Sequence, residues 1–181
     1  GRCDLVRLAN GVMYAIESGA SIINVSASFD VPSAVLDQVT QIARDHGAII
    51  TGSTGNGGLT EISFPARYDD VVGVTALDMA MVAPAWANTG PTVSVAAPGV
   101  ELLGAAPLDL NSRGTAWWSG TSFSSPLVAG ALALTKQAHP QLDRDGLVWQ
   151  LLDSSMDVDG MNPALQGMLG HGCVQPLPAV E

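Results

Sequence analysis

Residues 120–130 read GTSFSSPLVAG, and the prediction of the fold starts from this stretch. Ser122 stands where a loop turns into a long helical pattern that reaches about His139. A serine at the start of a helix faces unpaired backbone N–H groups and the positive end of the helix dipole, and both favour negative charge. One interpretation is that Ser122 only caps the helix, as serines often do. The other is that negative charge develops beside its hydroxyl during a reaction.

Short apolar segments alternate with helical segments upstream of this stretch. Strands are predicted at residues 21–26, 48–51, 71–75 and 92–95, and helices at residues 5–19 and 32–47. Pro32 opens the second helix, whose apolar face is predicted to be Val35, Val39, Ile42 and Ala43. Apolar strands that alternate with helices indicate a parallel sheet covered on both faces. We therefore predict an α/β fold with three layers, α/β/α, around a mostly parallel sheet.

The chain continues with a hairpin-like stretch after Pro98-Gly99 and then the long helix from about Thr121. Alanine and glycine fill the interior of that helix, which predicts that it is nearly buried. A shorter amphipathic helix with Leu147, Leu151 and Leu152 follows, and the tail is irregular.

Composition excludes several classes of function. The 181 residues are 47% hydrophobic and carry a net charge of −10, with only 7 Lys and Arg residues. No basic stripe is present that would neutralise phosphates, so we expect no nucleic-acid partner. No apolar run has the length of a transmembrane helix, and we expect no membrane partner. Cys3 and Cys173 lie far apart in the sequence, without metal-ligand spacing, and are interpreted as two independent thiols.

Four motifs occur in a fixed order. Beside residues 120–130 they are IINVSAS at 22–28, TGNG at 54–57 and VAAPG at 95–99. Asn56 lies 30 positions after Ser26, and Ser122 lies 66 positions after Asn56. This order and spacing resemble the subtilisin-like serine proteases, the subtilases, over essentially the whole chain.

The resemblance implies that Ser122 is the nucleophile and that Asn56 is the side-chain donor to the oxyanion. A peptide carbonyl attacked by a hydroxyl becomes a tetrahedral oxyanion, which a fixed amide N–H and the backbone N–H groups at the helix start stabilise. By itself, Asn56 would be interpreted as a loop asparagine in a left-handed turn.

The resemblance also implies a cleft for a polypeptide substrate. Ser26, Ala27 and Ser28 would form one wall, on which the substrate backbone pairs as a strand. The facing wall of the pocket for the residue before the cut would be Ser53, Thr54 and Gly55, with Ser63 near its floor. The alternative interpretation of these small residues is tight turn packing. Ser28 and Phe29 stand where the family commonly has glycine, which adds bulk to the first wall.

The Asp and His that precede the serine in the family's triad have no matching context here. His46 and His139 stand at predicted helix ends, and His171 lies in a segment that matches the family's closing stretch. A serine without its base is a weak nucleophile. We therefore expect residues 1–181 to be the C-terminal part of a single subtilase-like peptidase domain that lacks its N-terminal portion. An upstream segment or companion chain would carry the Asp and the His.

The predicted function is a serine endopeptidase, and the alternative is an inactive pseudoprotease or a binding lobe of the same fold. An α/β-hydrolase is disfavoured because position 124 is Ser where the nucleophile elbow needs Gly. A dinucleotide site at residues 52–58 is disfavoured because no helix follows it. The resemblance implies a secreted or extracytoplasmic protein. The chemistry requires no cofactor. No carboxylates occur at calcium-loop spacing, and the resemblance implies at most a weak structural calcium site near Ala66 and Tyr68, formed by backbone carbonyls.

Overall fold

A four-stranded parallel sheet forms the centre of the molecule, whose computed structural model describes residues 4–180. Its strands are β1 (Ile22–Val25), β2 (Ile49–Ser53), β3 (Val71–Leu77) and β4 (Val95–Pro98), in the spatial order β1-β2-β3-β4. The ladders pair Ile22 with Ile49, Ile50 with Val71, and Val74 with Val95. The carboxyl ends of all four strands therefore lie along one edge.

Helices cover both faces of this sheet. On one face lie α1 (Leu5–Glu17) and α2 (Ala34–Asp45), and on the other lie α3 (Thr121–Ala138) and α4 (Arg144–Asp153). Neighbouring residues of β2 separate the two cores, since Ile50 packs with α1 and α2 whereas Ile49 packs with α3 and α4. The predicted three-layer α/β/α fold with a mostly parallel sheet is confirmed.

The remaining elements lie after the sheet. An antiparallel hairpin of β5 (Leu102–Ala105) and β6 (Thr115–Trp118) precedes α3, and the chain then forms 3₁₀ turns at Asp159–Met161 and Pro163–Leu165 before α5 (Pro176–Ala179). No helix within residues 4–180 is long and apolar enough to cross a membrane.

Several predicted boundaries are wrong by two or three residues: β2 and β3 continue to Ser53 and Leu77, and α2 and β4 begin later than predicted. Helix α2 begins at Ala34 because Ser33 is its cap, and its buried face includes Leu36, whereas the predicted core residue Val35 is 53% exposed. Strand β4 begins at Val95 because the preceding residues form a turn, in which the Val93 N–H donates to the Gly90 carbonyl. The pattern of apolar residues within a segment does not show at which residue a strand such as β4 begins to pair with its neighbour.

Helix α3 has the predicted bounds but is not nearly buried. The face toward the sheet is closed by residues such as Val128 and Leu132, both fully buried. The opposite face leaves Leu127 and Leu134 exposed by 44% and 52%. The expectation of near-complete burial is therefore wrong for the described residues.

Candidate active site

The start of α3 lies at the edge formed by the carboxyl ends of the strands. Gly120 precedes the helix with a φ of +151°, a backbone conformation that favours glycine, and its N–H donates to the Gly99 carbonyl. The residue before the helix, Gly120, has no side chain to cap it, and Ser122 is the second helical residue. The interpretation of Ser122 as a capping residue is therefore wrong. Its side chain is half-buried beside the first N–H groups of α3, which have no partner within the helix.

Asn56 lies in the loop after β2 and is fixed by Thr121. Its Oδ1 accepts hydrogen bonds from the backbone N–H of Thr121 at 2.9 Å and from the Thr121 hydroxyl at 3.0 Å. A backbone N–H only donates, so the atom that faces it is the amide oxygen. The Nδ2 group therefore points away from Thr121 and lies on the side of Gly120, where it is 3.4 Å from the position of an added Cβ, one position before the start of α3.

Ser26 lies directly after β1 and contacts the backbone of Ser122. Its hydroxyl donates to the Ser122 carbonyl at 2.8 Å. In a regular helix that carbonyl would accept from the N–H four residues later, but the residue there is Pro126, which has none. Ser26 thus supplies the hydrogen bond that the proline removes from the first turn of α3.

Asn24 extends this contact into a network that sequence reasoning missed. Its Nδ2 donates to the Ser26 hydroxyl at 3.0 Å, and its Oδ1 accepts from Ser125 at 2.7 Å and from Thr51 at 3.1 Å. The network joins β1, β2 and α3 beneath Ser122. An asparagine within the apolar strand Ile22–Val25 was the signal that would have pointed to it.

The segments predicted to bind substrate lie together. Phe29 and Phe64 exchange backbone hydrogen bonds at 2.8 and 2.9 Å, which joins the segment after β1 to the one that contains Ser63. The Ser63 N–H donates to the Thr54 carbonyl, and a Cβ on Gly55 would lie 2.8 Å from the Ser63 hydroxyl. The first wall and the pocket segments therefore share one edge of the sheet.

Their side chains differ in exposure. Ser26 and Ser28 are exposed and Ala27 is half-buried, whereas the side chains of Ser53, Thr54 and Ser63 are buried. The Thr54 hydroxyl donates inward to the Asn88 carbonyl at 3.0 Å. A substrate would meet mainly the backbone on that side, so a substrate-binding role for these seven residues stays a prediction.

Comparison with known proteins identifies the family. The model of the subtilase family, Peptidase_S8, matches residues 1–172. The chain belongs to the subtilase family. It is 35% identical over 167 residues to the halolysin-like extracellular serine protease Nep of Natrialba magadii, covering 92% of this chain and 30% of Nep. It is 34% identical over 140 residues to subtilisin BL of Lederbergia lenta, covering 77% of this chain and 51% of that protein.

Solved subtilase structures superpose on nearly the whole chain. The prenylagaramide maturation protease PagA has a TM-score of 0.88 and 27% identity, covering 99% of this chain and 67% of PagA. The patellamide maturation protease PatA has a TM-score of 0.86 and 28% identity, covering 99% of this chain and 69% of PatA. This subtilase chain thus spans between about a third and a half of the two curated relatives named above.

All three histidines of this subtilase chain lie at the edge of the sheet opposite Ser122. His46 ends α2 just before β2, and His171 donates its backbone N–H to the Ser94 carbonyl just before β4. His139 ends α3, whose 18 residues extend over about 27 Å at 1.5 Å each. None of them reaches the start of α3, so none is placed to take a proton from Ser122.

In the region predicted to hold calcium, few side-chain oxygens are free to bind a metal ion. The Tyr68 hydroxyl is engaged with the Ser33 backbone, from which it accepts at 2.8 Å and to which it donates at 2.9 Å. Asp70, nearby in sequence, pairs with Arg44 at 3.0 Å. Within residues 4–180 no group of three His, Cys, Asp or Glu side chains is gathered as a metal site. These side chains fit a calcium ion poorly, and the weak carbonyl site stays a prediction.

Of the two cysteines, Cys173 is buried and is a free thiol, and Cys3 lies outside the described residues. Burial raises the pKa of the Cys173 thiol above its ordinary value of 9.0. Its backbone bridges to Ala96 of β4 and to Met156, away from Ser122. Cys173 is a core residue of the sheet edge and takes no part in the site.

Proposed function

We propose that this chain is the part of a serine endopeptidase that carries the nucleophile and the oxyanion donor. The observation that carries the proposal is the pair of bonds from Thr121 to Asn56 Oδ1, because they leave Nδ2 free of Thr121 and on the side of Gly120, at the start of the helix that carries Ser122. The protease names of the relatives, which include a subtilisin, support the same reaction class.

The reaction would follow the usual two steps of acyl transfer. The Ser122 oxygen bonds to the substrate carbonyl carbon while its proton passes to a base, and Asn56 Nδ2 donates to the oxyanion that forms. Collapse of this intermediate breaks the peptide bond, expels the protonated amine and leaves an acyl ester on Ser122. Water then hydrolyses the ester and restores the serine.

The base and its orienting carboxylate would come from polypeptide outside these 181 residues, joined to the chain or bound as a companion. The position of all three histidines at the far edge supports this proposal. So do exposed apolar side chains, which are Leu127 and Leu134 on the face of α3 away from the sheet and Leu103 and Trp117 on the hairpin, each between 44% and 68% exposed. In addition, β1 ends the described sheet and Asn24 in it is exposed, which leaves a strand edge open to pairing.

The substrate would be a polypeptide that pairs with residues 26–28 as an added strand, with Ser53, Thr54, Gly55 and Ser63 forming the pocket. One structural relative, the PatG macrocyclase, is described in complex with a peptide, which supports a peptide ligand. Because the relative Nep is named as extracellular, we also propose action outside the cytoplasm.

The second candidate is an inactive protein of the same fold that binds peptides without cutting them. The absence of a histidine near Ser122 within residues 4–180 favours it. The intact contacts among Asn56, Thr121 and Ser26 favour the enzyme, because a binding lobe has no need of a free amide donor beside a serine.

The experiment compares the 181-residue chain alone with the same chain joined to its upstream polypeptide. Each form is treated with a fluorophosphonate probe and assayed on a peptide mixture. We expect labelling and cleavage only in the joined form, and their loss in Ser122→Ala but not in the exposed-loop control Ser112→Ala. Peptide binding without labelling or cleavage in the joined form would establish the binding lobe instead. Cleavage by the chain alone would contradict an external base.

A further inference from the structure

Asn88 is a buried asparagine that no motif above includes. It follows β3 in the chain, and its side chain is 2% exposed. Uncharged polar groups at such depth are costly unless all their hydrogen bonds are made. Asn88 makes six hydrogen bonds, and most of them join it to the loop that carries Asn56.

The side chain of Asn88 holds this loop on both sides of Asn56. Its Oδ1 accepts from the backbone N–H groups of Gly57 at 2.9 Å and Leu59 at 3.0 Å, and its Nδ2 donates to the Thr54 carbonyl at 3.0 Å. The Asn88 backbone N–H donates to the Gly55 carbonyl, also at 3.0 Å. The residues immediately before and after Asn56 are thereby tied to a single residue.

Asn88 is itself fixed to the sheet. Its carbonyl accepts from the hydroxyls of Thr75 at 2.8 Å and Thr54 at 3.0 Å, and Thr75 is a fully buried residue of β3. On the other side of the loop, the Gly55 N–H donates to the Thr121 hydroxyl at 3.2 Å. A continuous set of hydrogen bonds therefore runs from β3 through Asn88 to the loop and on to the start of α3.

We propose that Asn88 is a positioning residue for the oxyanion donor: it sets the place of Asn56 Nδ2 relative to Ser122. This inference rests on the proposed peptidase function. The loop has no regular strand or helix to hold it, since it lies between β2 and the turn at residues 65–68. A donor displaced by about 1 Å loses on the order of 10²-fold in rate, so the reaction demands such a constraint.

A role in stability alone is the competing explanation, and the chain offers a matched control for it. Asn162 is also buried, at 4% exposure, and also bonds only backbone groups. Its Oδ1 accepts from the Ala83 N–H at 2.9 Å, and its Nδ2 donates to the Met81 and Val158 carbonyls. The hydrogen bonds of its side chain join residues 81–83 to Val158, and none of them reaches the Asn56 loop or α3. Removing either side chain leaves a similar set of unsatisfied backbone groups.

The test is a double-mutant cycle in the joined form of the protein. Asn88→Ala is expected to lower kcat by about 10²-fold with little change in KM. In the Asn56→Ala background the same change should lower kcat no further, because the donor that Asn88 positions is already absent. Asn162→Ala should leave kcat unchanged. The proposal would be overturned if the double variant lost kcat by the product of the two single losses. It would also be overturned if Asn162→Ala lowered kcat as much as Asn88→Ala.

Asn88→Asp provides a second variant in case the alanine variant does not fold. An aspartate keeps the acceptor for Gly57 and Leu59 and loses the donor to the Thr54 carbonyl. We expect a smaller fall in kcat than for alanine, and again no further fall in the Asn56→Ala background. An aspartate variant with the full kcat of the parent would contradict a role for the Thr54 contact.

Hydrogen exchange of the Thr121 amide tests the inference without catalysis. This N–H is held by Asn56 Oδ1, so displacement of Asn56 in Asn88→Ala or Asn88→Asp should speed its exchange relative to the core amides of β3. Unchanged exchange at Thr121 would overturn the proposal whether or not the protein cuts peptides. Failure of the proposed peptidase function would show separately, because the parent protein would then cleave peptides no faster than Ser122→Ala.

Discussion

The hydroxyl of Ser26 donates to the backbone carbonyl of Ser122 at 2.8 Å, across 96 positions of sequence. The contact matters because Pro126 deprives that carbonyl of its helical donor. A proline in the second turn of α3 would otherwise leave an unsatisfied carbonyl on Ser122 itself. The carboxyl end of β1 and the start of α3 are joined at this point, which fixes the helix against the sheet where the reaction would occur.

The contact between Ser26 and Ser122 predicts that a second substitution restores the kcat lost in Ser26→Ala. Ser26→Ala removes one hydrogen bond, whose net value of about 1 kcal/mol corresponds to roughly a fivefold fall in kcat if it acts on the position of Ser122. Pro126→Ala returns a backbone N–H to the helix and should restore most of that loss in the double variant. Steady-state kinetics of the two single variants and the double variant measure it. A double variant no better than Ser26→Ala would show that the Ser122 carbonyl does not need this donor.

Asn56→Ala tests the oxyanion donor directly. Loss of such a side-chain donor in subtilisin, a relative of this chain, lowers kcat by about 10²–10³-fold, and we expect a fall of the same order. KM should change little, because the hydrogen bond tightens only in the transition state. Asn10→Ala, on the exposed face of α1, serves as the control. An effect confined to KM would assign Asn56 to ground-state binding instead.

Ser122 and Asn56 could be singled out from sequence because each lies in a short contiguous motif that resembles the subtilases, and their roles stay predictions. The start of α3 was predictable for the same reason. Asn24 and Asn88 were not, because their partners are distant along the chain: the Ser125 hydroxyl that bonds Asn24 lies 101 positions away. Asparagine occurs in many loops and strand ends, and only the fold shows which of its two amide atoms meets which partner.

The errors in the predicted buried faces of the helices also arise from packing between segments that are distant in sequence. The burial of Leu36 and the exposure of Val35 follow from the way α2 packs on the sheet, with Leu36, Val39 and Ala43 at helical spacing on the buried face. The exposed face of α3 could not be inferred from its composition, since alanine and glycine suit close packing on either side of a helix.

Calcium should have little effect on this chain. Tyr68 and Asp70 are already bonded to Ser33 and Arg44, and within residues 4–180 no three carboxylates are gathered as a metal site, so a calcium ion near Ala66 would depend mainly on backbone carbonyls. We expect millimolar calcium to leave the melting temperature of the chain nearly unchanged compared with a chelator-treated sample. A rise of several degrees would contradict this and would assign a metal site to this region.

The Cys173 thiol should be unreactive in the folded protein. Burial raises its pKa above 9.0, so little thiolate is present at neutral pH. In a Cys3→Ser variant, a thiol-specific chromogenic reagent should react only after unfolding. The unfolded thiol ionises at a lower pH than the buried one, so the contribution of Cys173 to stability is present below about pH 9 and is lost above it. Rapid reaction of the native protein at pH 7 would show that Cys173 is accessible.

Two glycines predict opposite effects of the same substitution on the free energy of unfolding. A Cβ on Gly99 would collide with the Ser124 hydroxyl and lie 2.6 Å from the Ala76 Cβ, and Ser124 and Ala76 are fully buried. Gly99→Ala should therefore destabilise the protein by about 1–3 kcal/mol. Gly130 is in the middle of α3 with no atom within 4 Å of an added Cβ. Gly130→Ala should stabilise the chain by about 0.5–1 kcal/mol through helix propensity.

Urea unfolding of the chain alone measures both effects, and a neutral Gly99→Ala would contradict the contact with Ser124. The Gly130 variant also reports on the exposed face of α3, which carries Leu127 and Leu134. If additional polypeptide packs on that face in the joined form, an added methyl group there meets a covered surface instead of solvent. The stabilisation by Gly130→Ala should then shrink or reverse in the joined form. An equal gain in both forms would show that this face of α3 stays uncovered around Gly130.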